Sequence, residues 1–99
     1  MARFESYKLT NEDKEIIERM ENNNDNWIQF NKCQAWIKCS YINGRWYNII
    51  KSYNTIVGFV KDNMYIEIGK YSITTSIQIT RIHNEEFTNC IRYFANEVL

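Results

Sequence analysis

The sequence predicts an α+β fold in which three to four antiparallel strands pack with an N-terminal and a C-terminal helix. Three observations carry that expectation. Between residues 35 and 68, β-branched and aromatic residues dominate and are cut by short polar connections, the composition of strands and turns. Inside that stretch lies Asn43-Gly44, the dipeptide best able to hold the two positive φ angles of a type I′ hairpin turn. On either side, residues 11–21 and 84–98 place apolar residues at helical spacing.

Thr10 followed by Asn11-Glu12-Asp13 reads as an N-cap with an acidic first turn. Ile16, Ile17 and Met20 then form one narrow apolar stripe, which predicts a helix over 11–21 lying on a surface rather than through a core. Glu15 and Arg19 stand four apart on its exposed side, and the polar run Asn22–Asn26 ends it. A strand is expected over 35–41, a second from Trp46 to Val60, and a third over 64–68 after a tight connection at Lys61-Asp62-Asn63, together a meander. Residues 71–83 fit two patterns: Ile73, Ile77 and Ile79 alternate as in a strand, while Thr74 or Thr75 could cap a helix containing Ile79 and Ile82. Asn84 with Glu85 and Glu86 reads as a helix start, and Phe87, Cys90, Ile91, Phe94 and Val98 fall on one helical face that would cover the sheet.

With 99 residues the chain is too short for two hydrophobic cores, so a single domain over 1–99 is expected. Its 15% aromatic content is that of a folding chain. The N-terminus lacks the apolar run of a signal peptide, and no stretch approaches the roughly 20 apolar residues of a membrane span, which places the expected site of action in the cytoplasm. Cys33, Cys39 and Cys90 cannot all pair and are read as thiols.

The formal charge is +0 but unevenly spread. Residues 1–26 carry four basic side chains against seven acidic ones, residues 27–83 carry seven basic ones against Asp62 and Glu67, and residues 84–99 carry Arg92 against three glutamates. A basic middle between acidic flanks either presents a polyanion-facing surface or pairs internally with acidic helices. Trp36, Lys38, Arg45, Lys51 and Lys70 stand among aromatic residues, the ingredients of a sheet that stacks bases and neutralises phosphates. Catalytic chemistry has few carriers. The single histidine, His83, is seven residues from Cys90, a spacing that does not juxtapose a nucleophile and base on a continuous helix. Neither metal-ligand spacing nor a phosphate loop is present, so no cofactor and no metal are expected.

Lys51-Ser52-Tyr53-Asn54-Thr55-Ile56-Val57-Gly58, a short hairpin, and Tyr71-Ser72-Ile73-Thr74-Thr75-Ser76 together resemble a group of small bacteriophage proteins. These share a lysine-serine-tyrosine-x-threonine strand, a hairpin, and a tyrosine-serine-x-threonine-threonine segment leading to a histidine. Phe30-Asn31-Lys32 with Ala35 matches an aromatic-x-lysine-alanine element upstream, and Gln78 stands where the histidine would be. The resemblance covers about residues 30–80. It implies a phage-encoded protein that binds a host protein or nucleoprotein in the bacterial cytoplasm and inhibits it, in an anti-defence, anti-CRISPR-like role without enzymatic activity. The expected partner-binding residues are Lys51, Ser52, Tyr53, Thr55, Tyr71, Ser72, Thr74 and Thr75. Two readings from other classes stand beside it: nucleic-acid binding by the basic, aromatic sheet, and a small hydrolase built on Cys90 and His83.

Overall fold

The computed structural model describes residues 5–69 and 73–95. Nine elements follow in order: β1 (Glu5–Ser6), α1 (Asn11–Glu21), β2 (Ile28–Gln29), β3 (Ala35–Ile42), β4 (Arg45–Ser52), β5 (Thr55–Lys61), β6 (Met64–Ile68), α2 (Ile73–Glu86) and β7 (Ile91–Ala95). The strands form one mixed sheet in the order β1-β7-β6-β5-β4-β3-β2. Pairings from β2 through β6 are antiparallel, and β7 runs parallel to both β6 and β1. The class is α+β, with seven strands where three to four were expected.

Alternation along the strands sends neighbouring residues to opposite faces, and a helix covers each. On the first face, Tyr47, Ile49, Phe59, Ile66 and Ile68 meet Ile16, Ile17 and Met20 of α1. On the second, Ile50, Val57, Val60 and Tyr65 meet Ile79 and Ile82 of α2. The apolar stripe of α1 is therefore buried inside one of two cores. Thr10 caps the helix as expected, and a capping box closes it: the Thr10 hydroxyl accepts from the Asp13 amide, and the Asp13 carboxylate accepts from the Thr10 amide, each at 3.0 Å.

The Asn43-Gly44 turn has positive φ at both residues, 51° and 79°, as a type I′ hairpin demands. The span expected as one strand from Trp46 to Val60 is instead two, broken at Tyr53-Asn54, where Tyr53 takes φ 55°. No glycine or proline marks that turn, and it is held from outside by the Tyr53 amide donating to the Gln34 carbonyl at 2.7 Å. The larger correction concerns the C-terminal helix. Residues 73–86 are the helix, and Asn84-Glu85-Glu86 end it rather than begin one. The amide of Phe87 donates to the His83 carbonyl and that of Cys90 to the Phe87 carbonyl, a turn that delivers Ile91–Ala95 into the sheet as β7. Strand partners on both sides of β7 outweigh the helical spacing of its apolar residues. Val98 lies outside the described residues.

One buried ion pair joins α1 to the central strand. Lys61 Nζ donates to Asp13 Oδ1 at 2.7 Å, with both side chains almost wholly removed from water. The Tyr7 hydroxyl donates to the other carboxylate oxygen at 2.6 Å. Burial disfavours the charged Asp13, but Lys61, Tyr7 and the Thr10 amide more than offset it and hold the carboxyl below its ordinary pKa.

Two predictions follow from this packing. A Cβ on Gly58, beside the β4–β5 irregularity, would stand 2.8 Å from the Ile66 carbonyl oxygen in the neighbouring strand. Gly58→Ala is therefore expected to cost about 1–3 kcal/mol, and each 1 kcal/mol is about 4–8 °C in Tm for a domain of this length, readable by thermal melting. Asp13→Asn leaves the Lys61 ammonium buried without its countercharge, a loss of about 3–5 kcal/mol at pH 7 in chemical denaturation. Because the folded pKa of Asp13 lies below its unfolded value, its contribution is present above about pH 4 and is lost as pH falls further through the folded value, so the variant should flatten that acid limb. An unchanged acid limb would exclude this role for the pair.

Candidate interaction surface

Of the seven basic side chains in the middle of the chain, Lys38, Lys51 and Lys61 are internal, while Lys32, Arg45 and Arg81 are exposed. Lys38 is 7% exposed, and its Nζ donates to the Asp25 carbonyl at 2.7 Å. Lys51 is 8% exposed, with Nζ 4.2 Å from the centre of the Trp27 ring. Lys61 is held by Asp13. Of the expected nucleic-acid residues, Trp36 is half-buried and Arg45 is exposed, 3.9 Å from Asp62; Lys70 lies outside the described residues. Internal pairing, the second of the two readings of the charge pattern, accounts for Lys61, and main-chain and ring contacts for Lys38 and Lys51.

The two hydroxyl-bearing segments do meet, but as an internal seam. Ser52 and Thr75 are buried with their hydroxyls 3.3 Å apart, and Ser52 donates to the Gln78 side-chain carbonyl at 2.8 Å, fastening α2 to β4. Lys51, Ser52 and Thr75 are thus removed from the joint surface expected of them, because adjacent strand residues must face the two helix-covered sides. Tyr53, Thr55 and Thr74 are exposed; Tyr71 and Ser72 lie outside the described residues.

His83 and Cys90 approach each other across the turn after α2, yet the imidazole Nε2 lies 2.8 Å from the main-chain carbonyl of Cys90 and therefore donates to it. Burial pushes the Cys90 thiol up from its ordinary pKa, opposite to what a nucleophilic thiolate needs. Nearby, Arg92 Nη2 donates to Glu67 at 2.9 Å and to Thr80 at 3.3 Å, and burial raises the Glu67 carboxyl despite the guanidinium.

What the molecule does present is the second face of the β3–β4 hairpin. Helix α2 docks over β4, β5 and β6 and stops at Glu86, leaving the outer part of β3 uncovered. There Ile28, Tyr41 and Trp46 are 73%, 61% and 59% exposed, with Tyr41 and Trp46 packed edge to face at 5.0 Å. Cys39 is exposed between them and Ile37, and a groove of about 370 Å³ runs from Ile28, Ile37 and Cys39 to Glu86 and Phe87. Among the described residues the backbone edge is open as well. Strand β2 pairs only with Trp36 and Ile37, and the Ala35 carbonyl, accepting from the Phe30 amide at 2.8 Å, shows which residues point outward. By the two-residue alternation, the N–H and C=O groups of Cys39 and Tyr41 point the same way, past the end of β2. The sequence places Ile37, Cys39 and Tyr41 on one face; that α2 misses them depends on where the helix crosses, which no local pattern encodes.

A second, smaller groove of about 170 Å³ opens on the first face, lined by Asn24, Trp27, Trp36, Lys51, Tyr53 and Asn54. It unites Trp36 and Lys51 of the expected nucleic-acid residues with Tyr53, which like Lys51 is an expected partner-binding residue. Asn24, Trp27 and Asn54 carry no sequence signal for this role. Among the described residues no group of three His, Cys, Asp or Glu side chains could hold a metal ion, and no helix is long and apolar enough to cross a membrane.

The open edge predicts a thiol order. Cys39 should react with iodoacetamide at least about tenfold faster than half-buried Cys33 and Cys90, by peptide mapping of a time course; labelling of Cys33 or Cys90 first would mean that the edge is covered. Comparison with protein-family models, curated proteins and solved structures gave no match to this chain.

Proposed function

We propose that this chain is a non-enzymatic binding protein that captures a protein partner on the second face and open edge of the β3–β4 hairpin. The observation that supports the reading is the juxtaposition of Tyr41 and Trp46, two large exposed aromatics in mutual contact, with strand backbone at Cys39 and Tyr41 that no described strand pairs on that side. Aromatic anchors of this kind carry most of the energy of protein interfaces, and an open edge accepts an extended segment as an added strand. The partner's chemistry follows: an extended segment with apolar side chains on one side. In the setting that the bacteriophage resemblance implies, that partner is a bacterial host protein or nucleoprotein, and its capture is inhibitory, in an anti-CRISPR-like role. Binding of nucleic acid along the sheet has less support, because Lys38 is buried against the Asp25 carbonyl and Arg45 stands beside Asp62.

The test is affinity capture from bacterial lysate with mass spectrometry, comparing the unaltered chain with Trp46→Asp and Tyr41→Asp. Both positions are exposed, so the variants should melt within a few degrees of the parent, a stability change within about 0.5 kcal/mol. Loss of a binding anchor worth about 2 kcal/mol should weaken capture of the same partner about thirtyfold. Retention of the same proteins by parent and both variants would remove the hairpin face from the interface.

A further inference from the structure

We propose that the first-face groove of Asn24, Trp27, Trp36, Lys51, Tyr53 and Asn54 is a binding site for a nucleoside monophosphate, with the phosphate on Lys51 and the base against Trp36 and Tyr53. The carrying observation is the state of Lys51. Its side chain is more than nine-tenths buried and lines the groove, yet among the described residues no oxygen accepts a hydrogen bond from its ammonium. The other two buried lysines have such partners, Lys61 in the Asp13 carboxylate and Lys38 in the Asp25 carbonyl. Lys51 meets the face of Trp27, 4.2 Å away, while its ammonium nitrogen keeps contact with solvent, so the N–H donors open into the groove. Burial lowers its pKa, with the distant influence of Glu21 opposing the shift. An anion entering the groove takes the place of water on this ammonium.

The rest of the groove narrows the anion to one carried on a flat ring. Trp27 is immobilised by its indole N–H donating to the Asn23 carbonyl at 2.7 Å, which fixes the ring that caps Lys51. Trp36 lies directly across the strand pair from Lys51 and is only partly buried. Tyr53 is held at the rim by a left-handed backbone conformation that a bulky residue seldom adopts. Aromatic faces of this kind stack nucleobases without regard to sequence, and the side-chain amides of Asn24 and Asn54 offer both donors and acceptors to a base edge. A lone ammonium suits a tetrahedral phosphate as a point charge, whereas a planar carboxylate is better matched by the guanidinium fork that this groove lacks.

This site lies on the opposite face of the sheet from the hairpin surface, so the two stand or fall separately. In a Trp46→Phe background, tryptophan fluorescence reports only Trp27 and Trp36. Titration with adenosine and uridine monophosphates should give saturable quenching, at least about tenfold weaker for the uncharged nucleosides and for Lys51→Met, the loss of one charge-assisted hydrogen bond. Asn54→Asp, at an exposed turn, sets a negative charge at the groove and should weaken binding likewise, which keeps the test valid if Lys51→Met is poorly folded. A 5′-phosphorylated oligonucleotide that binds as tightly as the mononucleotide supports the site and assigns its source to strand ends; weaker binding supports it and assigns the source to free nucleotide. Absence of saturation, equal affinity for nucleoside and nucleotide, unchanged affinity in both variants, or tighter binding of benzoate would each overturn the proposal.

Discussion

Lys61 reaches from the middle strand of the sheet to Asp13 in the first turn of α1, and the geometry of the first face follows from that contact. Asp13 is simultaneously the partner of the Thr10 cap and the acceptor of the Tyr7 hydroxyl, so one carboxylate ties together the start of α1, the segment that follows β1, and the sheet centre. Such a pair adds little net stability over well-packed apolar residues of the same volume, but breaking it by removing one partner is costly. Its consequence is positional. With Asp13 fixed over β5, Ile16, Ile17 and Met20 can enter the core in only one rotation of the helix, and Tyr47 is brought to donate to Glu12 at 2.9 Å.

Three lysines of the basic stretch are likewise drawn inside rather than onto the surface. Three strands each direct a lysine onto the first face, and each ammonium meets a different environment: a carboxylate for Lys61, a main-chain carbonyl for Lys38, an indole ring for Lys51. The acidic N-terminal segment supplies the first, the connection after α1 supplies the second and third. Long methylene stems make this arrangement workable, since they pack against the sheet while the charged end is met separately. The two faces of the molecule thereby differ: beside its apolar core the first face buries three lysines, while the second is apolar and exposed where α2 ends.

How much of this was legible in the sequence depended on whether the deciding interaction was local. Helix α1 and the Asn43-Gly44 hairpin are encoded within a few residues of themselves, by a cap and by a turn dipeptide, and both occur where the pattern places them. The break at Tyr53-Asn54 has only Asn54 and the neighbouring Ser52 as local turn residues, without glycine or proline, and the Tyr53 amide is held by the Gln34 carbonyl nineteen residues away along the chain. The residues of β7 have helical spacing and yet form a strand because parallel partners exist on both of its sides. The same division holds for the candidate surfaces. Residue type drew attention to Trp36, Lys51 and Tyr53, but burial separated Lys51, Ser52 and Thr75 from the exposed residues, and burial is a property of where helices cross.

The pairing of β1 with β7 joins Glu5 to Tyr93 and Ser6 to Phe94, close to opposite ends of the described chain. A polypeptide leaves the ribosome N-terminus first, so β1 waits through the synthesis of every other element before its only neighbour in the sheet exists. The antiparallel run from β3 to β6 needs only short loops and can close early, whereas the crossover through α2 must bring β7 to β6 before β1 has a template. The earliest described strand along the chain thus has its partner only in the latest one, and that pairing can form only once β7 has been synthesised.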